Sequence, residues 1–340
     1  MRGVVVVEPN KVEIQELAKP VPGPYQALVK TDICAVCNST DAKVVTGHFP
    51  GLTAYPLVLG HEATGIVEAV GEKVRQFKPG DRLLSGMLFE FAEKGLSSGW
   101  GGFCDYTLAN DHDAMVADHA ADAEHGWFEC HEVQNVIPSD IPAEETALMC
   151  TWREVLGAIE QFRITHSKRV LIYGGGPVGM SFVKFGRLLG WEWIGLIDCL
   201  EWKRQKAMEM GASAVFAPDD PAIREQGKYS VIVDAVGSPK IINEALSMIA
   251  MEGSICVYGV LADNVFSLDK STAPYNFNLL FHQWPTRRLE RESTGTLVQW
   301  IRDKKLSAGE FVTHRYPLEQ INEAFAAIKS GKTLKCLIDF

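Results

Sequence analysis

The chain has no long apolar run, no long basic tract, no internal repeat and no low-complexity segment in its 340 residues. The missing apolar run excludes a membrane-spanning helix, which needs about 20 consecutive apolar residues. A formal net charge of -10 without a basic tract argues against nucleic acid and anionic membrane as partners. The opening MRGVVVVEPNKVEIQEL contains no apolar core before a small-residue cleavage site, so it does not read as a secretory leader. Eight cysteines are too few for a disulfide scaffold. These features lead us to expect a cytoplasmic protein with reduced thiols.

What is present suits a two-domain α/β protein. Hydrophobic residues make up 46% of the chain, enough for a sizeable core, and 30 glycines supply tight turns. The first 110 residues read as short strands, VVVVE, VEIQEL, QALVKTDI and GIVEAVG, punctuated by Pro and Gly. That rhythm predicts a partly open β-barrel. Residues 111–135 are acidic, histidine-rich and weakly periodic, and are expected to form a solvated excursion or lid. His112, His119, His125, Cys130 and His131 raise a second metal site there, but their spacing is loose and the lid is the better reading. From Lys168 strands alternate with helices, which predicts a parallel sheet covered on both faces. The final strand, LKCLIDF, is expected to return to the first domain. The domains are therefore placed at 1–148 with 289–340, and at 149–288.

Gly174, Gly176 and Gly179 form G-x-G-x-x-G after the buried run VLIY and at the start of a helix, with Pro177 and Val178 inside the turn. The first glycine permits the turn, the second lets a pyrophosphate approach backbone N–H groups, and the third lets helix pack on strand. Asp198 ends the next strand, where a carboxylate accepts ribose hydroxyls and repels a 2′-phosphate, favouring NAD over NADP. Arg204 is a candidate for the adenosine end, with a solvent-facing role as the alternative. Ala235-Val236-Gly237 follows another strand and is a candidate for the nicotinamide ribose.

Cys37, His61 and Cys150 each have a plain structural reading: a small buried side chain for the cysteines, a turn cap for the histidine. Their donor types suit a catalytic zinc, which takes thiolate and imidazole and keeps one position open. A resemblance decides between these readings. Gly60-His61-Glu62, followed by Gly65, Val67, Gly71, Val74, Gly80, Asp81 and Arg82, together with VLIYGGGPVG, VDAVG and PLEQINEAFAAIKSGKTLK, resembles the medium-chain zinc-dependent alcohol and polyol dehydrogenases over nearly the whole chain.

The resemblance implies a GroES-like catalytic domain, a Rossmann domain, one catalytic zinc held by Cys37, His61 and Cys150, and NAD(H). Glu62 is implied beside the metal, either entering its coordination or holding a basic side chain. The run after Cys37 is one residue longer than the family pattern. Asp41 then matches an aspartate that orients His61, and the proton-relaying hydroxyl is Thr40 by the downstream register or Ser39 by the upstream one. Lys335 falls where relatives place a basic residue near the cofactor phosphates.

Residues 84–103 lack the four cysteines of a structural zinc lobe, so no structural zinc is expected. Met87, Phe89, Phe91 and Trp100 supply apolar packing in its stead, or line the substrate cleft. Trp152 and Arg153 are further pocket candidates. The implied reaction is hydride transfer between NAD(H) and a small-molecule secondary alcohol or ketone, with a polyol or sugar derivative as first class. The alternatives are a zinc-free quinone or enone reductase, and a noncatalytic nucleotide-binding protein. The resemblance also implies a homodimer or homotetramer.

Overall fold

The computed structural model describes residues 1–261 and 265–340. The chain divides into two compact units, 1–150 with 294–340, and 151–293. Both divisions lie inside helices, Ala143–Gln161 and Arg287–Arg302, close to the expected 148 and 288. Helical periodicity runs through each division, so the sequence pattern alone does not mark it.

The first unit holds a GroES-like β-rich domain. A four-stranded sheet runs in the order Lys11–Glu16, Arg2–Glu8, Leu57–Leu59, Ser97–Gly99. A larger sheet runs Val312–Pro317, Lys335–Asp339, Gln26–Val36, Glu62–Val70, Arg82–Leu84, Val136–Ile137. Its long strand Gln26–Val36 alternates poorly because it is buried along most of its length, and it also pairs with Tyr106–Asn110. The C-terminal strand pairs with it antiparallel, Cys336 opposite Val36 and Ile338 opposite Cys34. Cys34 is thus a buried strand residue, and burial pushes its thiol well above the usual range. Val4, Val6, Val36, Leu57, Leu59, Phe103 and Ile338 form one continuous apolar core here.

The second unit is a Rossmann-like six-stranded parallel sheet, ordered Ala214–Phe216, Trp193–Ile197, Arg169–Tyr173, Tyr229–Asp234, Ile249–Val257, Asn278–Phe281. Strand order reverses beside Arg169–Tyr173, the position where ligands bind such sheets. Leu171, Ile232 and Ile255 face a core closed by Leu246 and Ile249. Arg153 lies in this unit, fully buried 3.6 Å from Glu290, and Trp152 is buried as well. Arg153 therefore carries a buried ion pair.

Segment 111–135 is exposed over 116–119, 122–126 and 128–129, as expected of a solvated excursion, but its two ends are anchored. Asp111 is buried and caps the helix His112–Ala117 through Ala114 N at 2.9 Å. Its other oxygen accepts from Arg75 N at 2.6 Å and Gln76 N at 2.7 Å. His131 is buried against the Asn110 amide at 2.7 Å, and burial lowers its pKa to about 4, so the ring is neutral near pH 7. Gln134 bridges Asn110 N and Ser85 O, both at 2.7 Å. Polar side chains that looked solvent-bound instead satisfy buried backbone groups. Among the described residues no helix is long and apolar enough to cross a membrane.

Candidate active site and nucleotide turn

Cys37 follows the last residue of the strand Gln26–Val36, and His61 precedes the first residue of Glu62–Val70. These strands pair antiparallel with Ala35 opposite Glu62, so the register brings the two side chains to one end of the sheet. Donor atoms of Cys37, His61 and Glu62 lie within 4.8 Å of one another. Among the described residues this is the one group of three or more His, Cys, Asp or Glu side chains gathered so closely, and the histidines of 111–135 form none. Cys150, on the helix Ala143–Gln161, has its Sγ 3.8 Å from the His61 carbonyl oxygen, and it is not part of that close donor group.

Asp41 sits behind this cluster, fully buried in the short helix Thr40–Val45. Its Oδ2 accepts from Cys37 N at 2.8 Å, and its Oδ1 lies 3.2 Å from His61 Nδ1. The second contact has the distance of an ion pair but not the alignment of a hydrogen bond. It leaves His61 Nε2 toward Glu62 Oε1, 3.9 Å away. Burial opposes charge on His61, yet Asp41 and the Cys37 thiol outweigh it and hold the ring well above its usual pKa. Ser39 is the exposed residue preceding the helix, and Thr40 is its first, half-buried residue.

Lys335, which the resemblance implies near the cofactor phosphates, is paired with Glu62. It opens the strand Lys335–Asp339, is 1% exposed, and its Nζ lies 2.6 Å from Glu62 Oε2 and 2.8 Å from Oε1. Burial opposes its charge, but Glu62 and the thiols of Cys37 and Cys150 raise its pKa. Sulfur from both cysteines is thus felt at one buried cation. The Glu62–Lys335 pairing was not legible as a pair, since the residues are 273 positions apart.

The gathered donors are one thiol, one imidazole and one carboxylate, with the Cys150 thiol near the His61 backbone and the Asp41 carboxylate behind the histidine, and these are donor types that zinc takes. Nothing in residues 84–103 duplicates it. Met87 and Leu88 are buried, Phe91 packs near Val5, Leu17 and Val58, and Phe89 pairs with Phe128 at 4.7 Å. Trp100 alone of the four packs on the cluster, its ring 5.2 Å from His61.

In the second unit the glycine turn is built from backbone. Gly174 takes φ 98° and donates to Ile197 O at 2.8 Å. A Cβ on Gly179 would meet Gly174 O at 1.7 Å, which leaves glycine as the fitting residue. Gly176 caps the helix Pro177–Leu188, and a Cβ there would meet nothing within 4 Å. Open space over a helix N-terminus whose first residue is Pro177 suits an anion. Val178 is half-buried in the first turn.

Asp198 is partly tied up by the turn. Its Oδ2 accepts from Gly175 N at 2.7 Å and its Oδ1 from Leu200 N at 2.8 Å. Arg204 donates to the carbonyls of Asp198 at 2.8 Å and Cys199 at 3.1 Å, so it braces the end of the strand. Asp234, which the sequence reading passed over, organises the neighbouring loop. It is fully buried, and its carboxylate accepts from Val236 N, Gly237 N and Ser238 N at 2.8–2.9 Å. Burial raises its pKa against those three donors. Its position at the end of VIVD, just before a glycine-containing turn, was the available signal. Ala235 N joins the loop to Tyr173 O at 3.0 Å. A cavity of about 210 Å³ is lined by Tyr173, Gly174, Asp198, Cys199, Val236 and Lys240 among others.

Known proteins match both units. Residues 23–119 match the Alcohol dehydrogenase GroES-like domain, and residues 177–282 match Zinc-binding dehydrogenase. The chain is 26% identical to S-(hydroxymethyl)glutathione dehydrogenase of Saccharomyces cerevisiae, covering 96% of this chain and 92% of that protein. It is 25% identical to human sorbitol dehydrogenase, covering 98% and 94%. Among solved structures, a protein described as short chain alcohol dehydrogenase rspB of Escherichia coli CFT073, in complex with NADH, superposes with a TM-score of 0.77. Its identity is 19%, with 100% of this chain and 99% of that chain covered. With two matching domains, near-full-length relatives and the thiol–imidazole cluster in place, the chain belongs to the medium-chain, zinc-binding-type alcohol dehydrogenase family.

Proposed function

We propose that this protein is a zinc-dependent oxidoreductase that transfers hydride between NAD(H) and a secondary alcohol or ketone. The observation that carries the reading is the buried cluster of Cys37, His61 and Glu62, with Cys150 Sγ beside the His61 carbonyl. In this reading Cys37, His61 and Cys150 hold the ion. When bound, zinc supplies Lewis acidity to the substrate oxygen, and the nicotinamide supplies the hydride acceptor or donor.

The chain's own residues do the remaining work. Asp41 fixes the His61 ring so that Nε2 faces inward. Lys335 neutralises Glu62 and keeps the carboxylate beside the cluster rather than in solvent. Thr40, half-buried at the start of its helix, passes the hydroxyl proton outward; Ser39, more exposed, is the alternative. The backbone N–H groups at Gly176–Val178 receive the pyrophosphate. Asp198, whose carboxylate already fixes Gly175 and Leu200, also meets the adenosine ribose and disfavours a 2′-phosphate. A polyol or sugar derivative is the substrate class that the sorbitol dehydrogenase relatives support.

Steady-state turnover of secondary alcohols with NAD tests this. Zinc removal should abolish turnover and readdition restore it. Thr40→Ala should lower kcat/KM by about 10² or more, the range for a lost proton-transfer group, and Ser39→Ala by much less. Full turnover after zinc removal would instead support a zinc-free reductase.

A further inference from the structure

Trp100 is held in a backbone conformation that large side chains avoid. Its φ is 70°, in the left-handed region. Among the described residues no Phe or Tyr and no other Trp has a positive φ. The segment Gly99-Trp100-Gly101-Gly102 offers glycines on either side, yet the tryptophan occupies the strained position.

Several contacts impose it. Trp100 N donates to Ser98 Oγ at 3.0 Å, and Trp100 O accepts from Leu88 N at 2.8 Å. The next residues run hard against the His61 strand entry: a Cβ on Gly102 would meet Gly60 O at 2.8 Å, and one on Gly60 would meet Phe103 N at 2.5 Å. Such strain persists only where the surroundings over-determine it, and it concentrates at functional sites. Here it delivers the indole onto the ring of His61, 5.2 Å between centroids and tilted 58°. Phe49 meets the same indole edge-on at 5.6 Å and 86°.

His61 is the shared element of the cluster and this aromatic pair. Both rings pack on the apolar core of this unit and are only half-buried, so each keeps part of its surface open, that of Trp100 next to the cluster. The polar side chains Ser39, Thr40 and Lys43 lie in and just before the short helix on the Cys37 side. A polyhydroxy chain loses water hydrogen bonds against ring faces and regains few. An aryl or branched alkyl group gains by the same burial.

We propose that Trp100, with Phe49, determines specificity, and that it selects secondary alcohols and ketones bearing an aromatic or branched alkyl substituent over polyols. This rests on the oxidoreductase reading above and replaces its polyol class with an apolar one.

The test uses the zinc-loaded full chain and three probes, 1-phenylethanol, 2-propanol and sorbitol, with NAD. Wild type should favour 1-phenylethanol over sorbitol by about 10² in kcat/KM, within what differential pocket contacts deliver. Trp100→Gly suits the positive φ and so removes the ring without straining the backbone. It should lower kcat/KM for 1-phenylethanol about tenfold more than for 2-propanol, chiefly through KM. Trp100→Phe should recover most of that difference. Equal losses on both probes, or wild-type preference for sorbitol, would overturn the inference and leave the oxidoreductase reading standing. Absence of turnover with all three probes would overturn both.

Discussion

The two units build their sites from different materials. In the first, charge is placed by buried side chains: Asp41 on His61, and Lys335 on Glu62. In the second, the turn is made by main chain, and its carboxylates, Asp198 and Asp234, spend their oxygens on backbone N–H groups. The first site is therefore sensitive to what a side chain carries, and the second to whether a side chain is there at all. The contrast matches the task proposed for each. A metal needs specific donor atoms, whereas a pyrophosphate needs oriented amides and room to approach.

Breaking the charge arrangement should have the larger effect. Glu62→Gln or Lys335→Met leaves its partner charged in a site only 1–2% exposed. Each should cost about 3–5 kcal/mol of stability, because the remaining buried charge loses its ion-pair partner. The double variant should recover much of that loss, since both charges leave together. Urea unfolding midpoints of the four proteins provide the measurement, and additive losses would show that the pair is not energetically coupled.

Filling the backbone site should divide by position. Gly179→Ala forces a Cβ into Gly174 O and should destabilise the fold of the turn itself, lowering the unfolding midpoint. Gly176→Ala meets nothing in the unliganded turn and should leave that midpoint nearly unchanged. It should nevertheless weaken NAD(H) binding about tenfold, roughly 1.4 kcal/mol, by filling the space over the helix N-terminus. Calorimetric titration with NADH alongside thermal unfolding separates the two. Equal stability losses would mean that both glycines serve packing alone.

The same contrast explains what could be read from sequence. The nucleotide turn is local: Gly174 to Gly179 with its flanking strand and helix carries the geometry in six residues. The first site is assembled from positions 37, 61, 62, 150 and 335, and only the family pattern around Gly60-His61-Glu62 pointed to it. That pattern carries no strand register, so it did not show that pairing of Cys336 with Val36 and of Ala35 with Glu62 brings Lys335 to the Glu62 carboxylate. Segment 111–135 misled through composition: Asp111, His131 and Gln134 look solvated until their backbone partners are known. The edge strand Asn278–Phe281 escaped notice because it is short and mostly uncovered, without the buried run that marked its neighbours.

Zinc content per chain, on protein purified without added metal or chelator, tests the central claim most directly. Wild type, Cys37→Ala and Cys150→Ala should be compared as folded proteins. The account predicts about one zinc in wild type, as for a single catalytic site, and much less in either variant. Undiminished zinc in Cys150→Ala would remove Cys150 from the ligand set and transfer its place to Glu62, and no zinc in reconstituted wild type would contradict the metal site altogether.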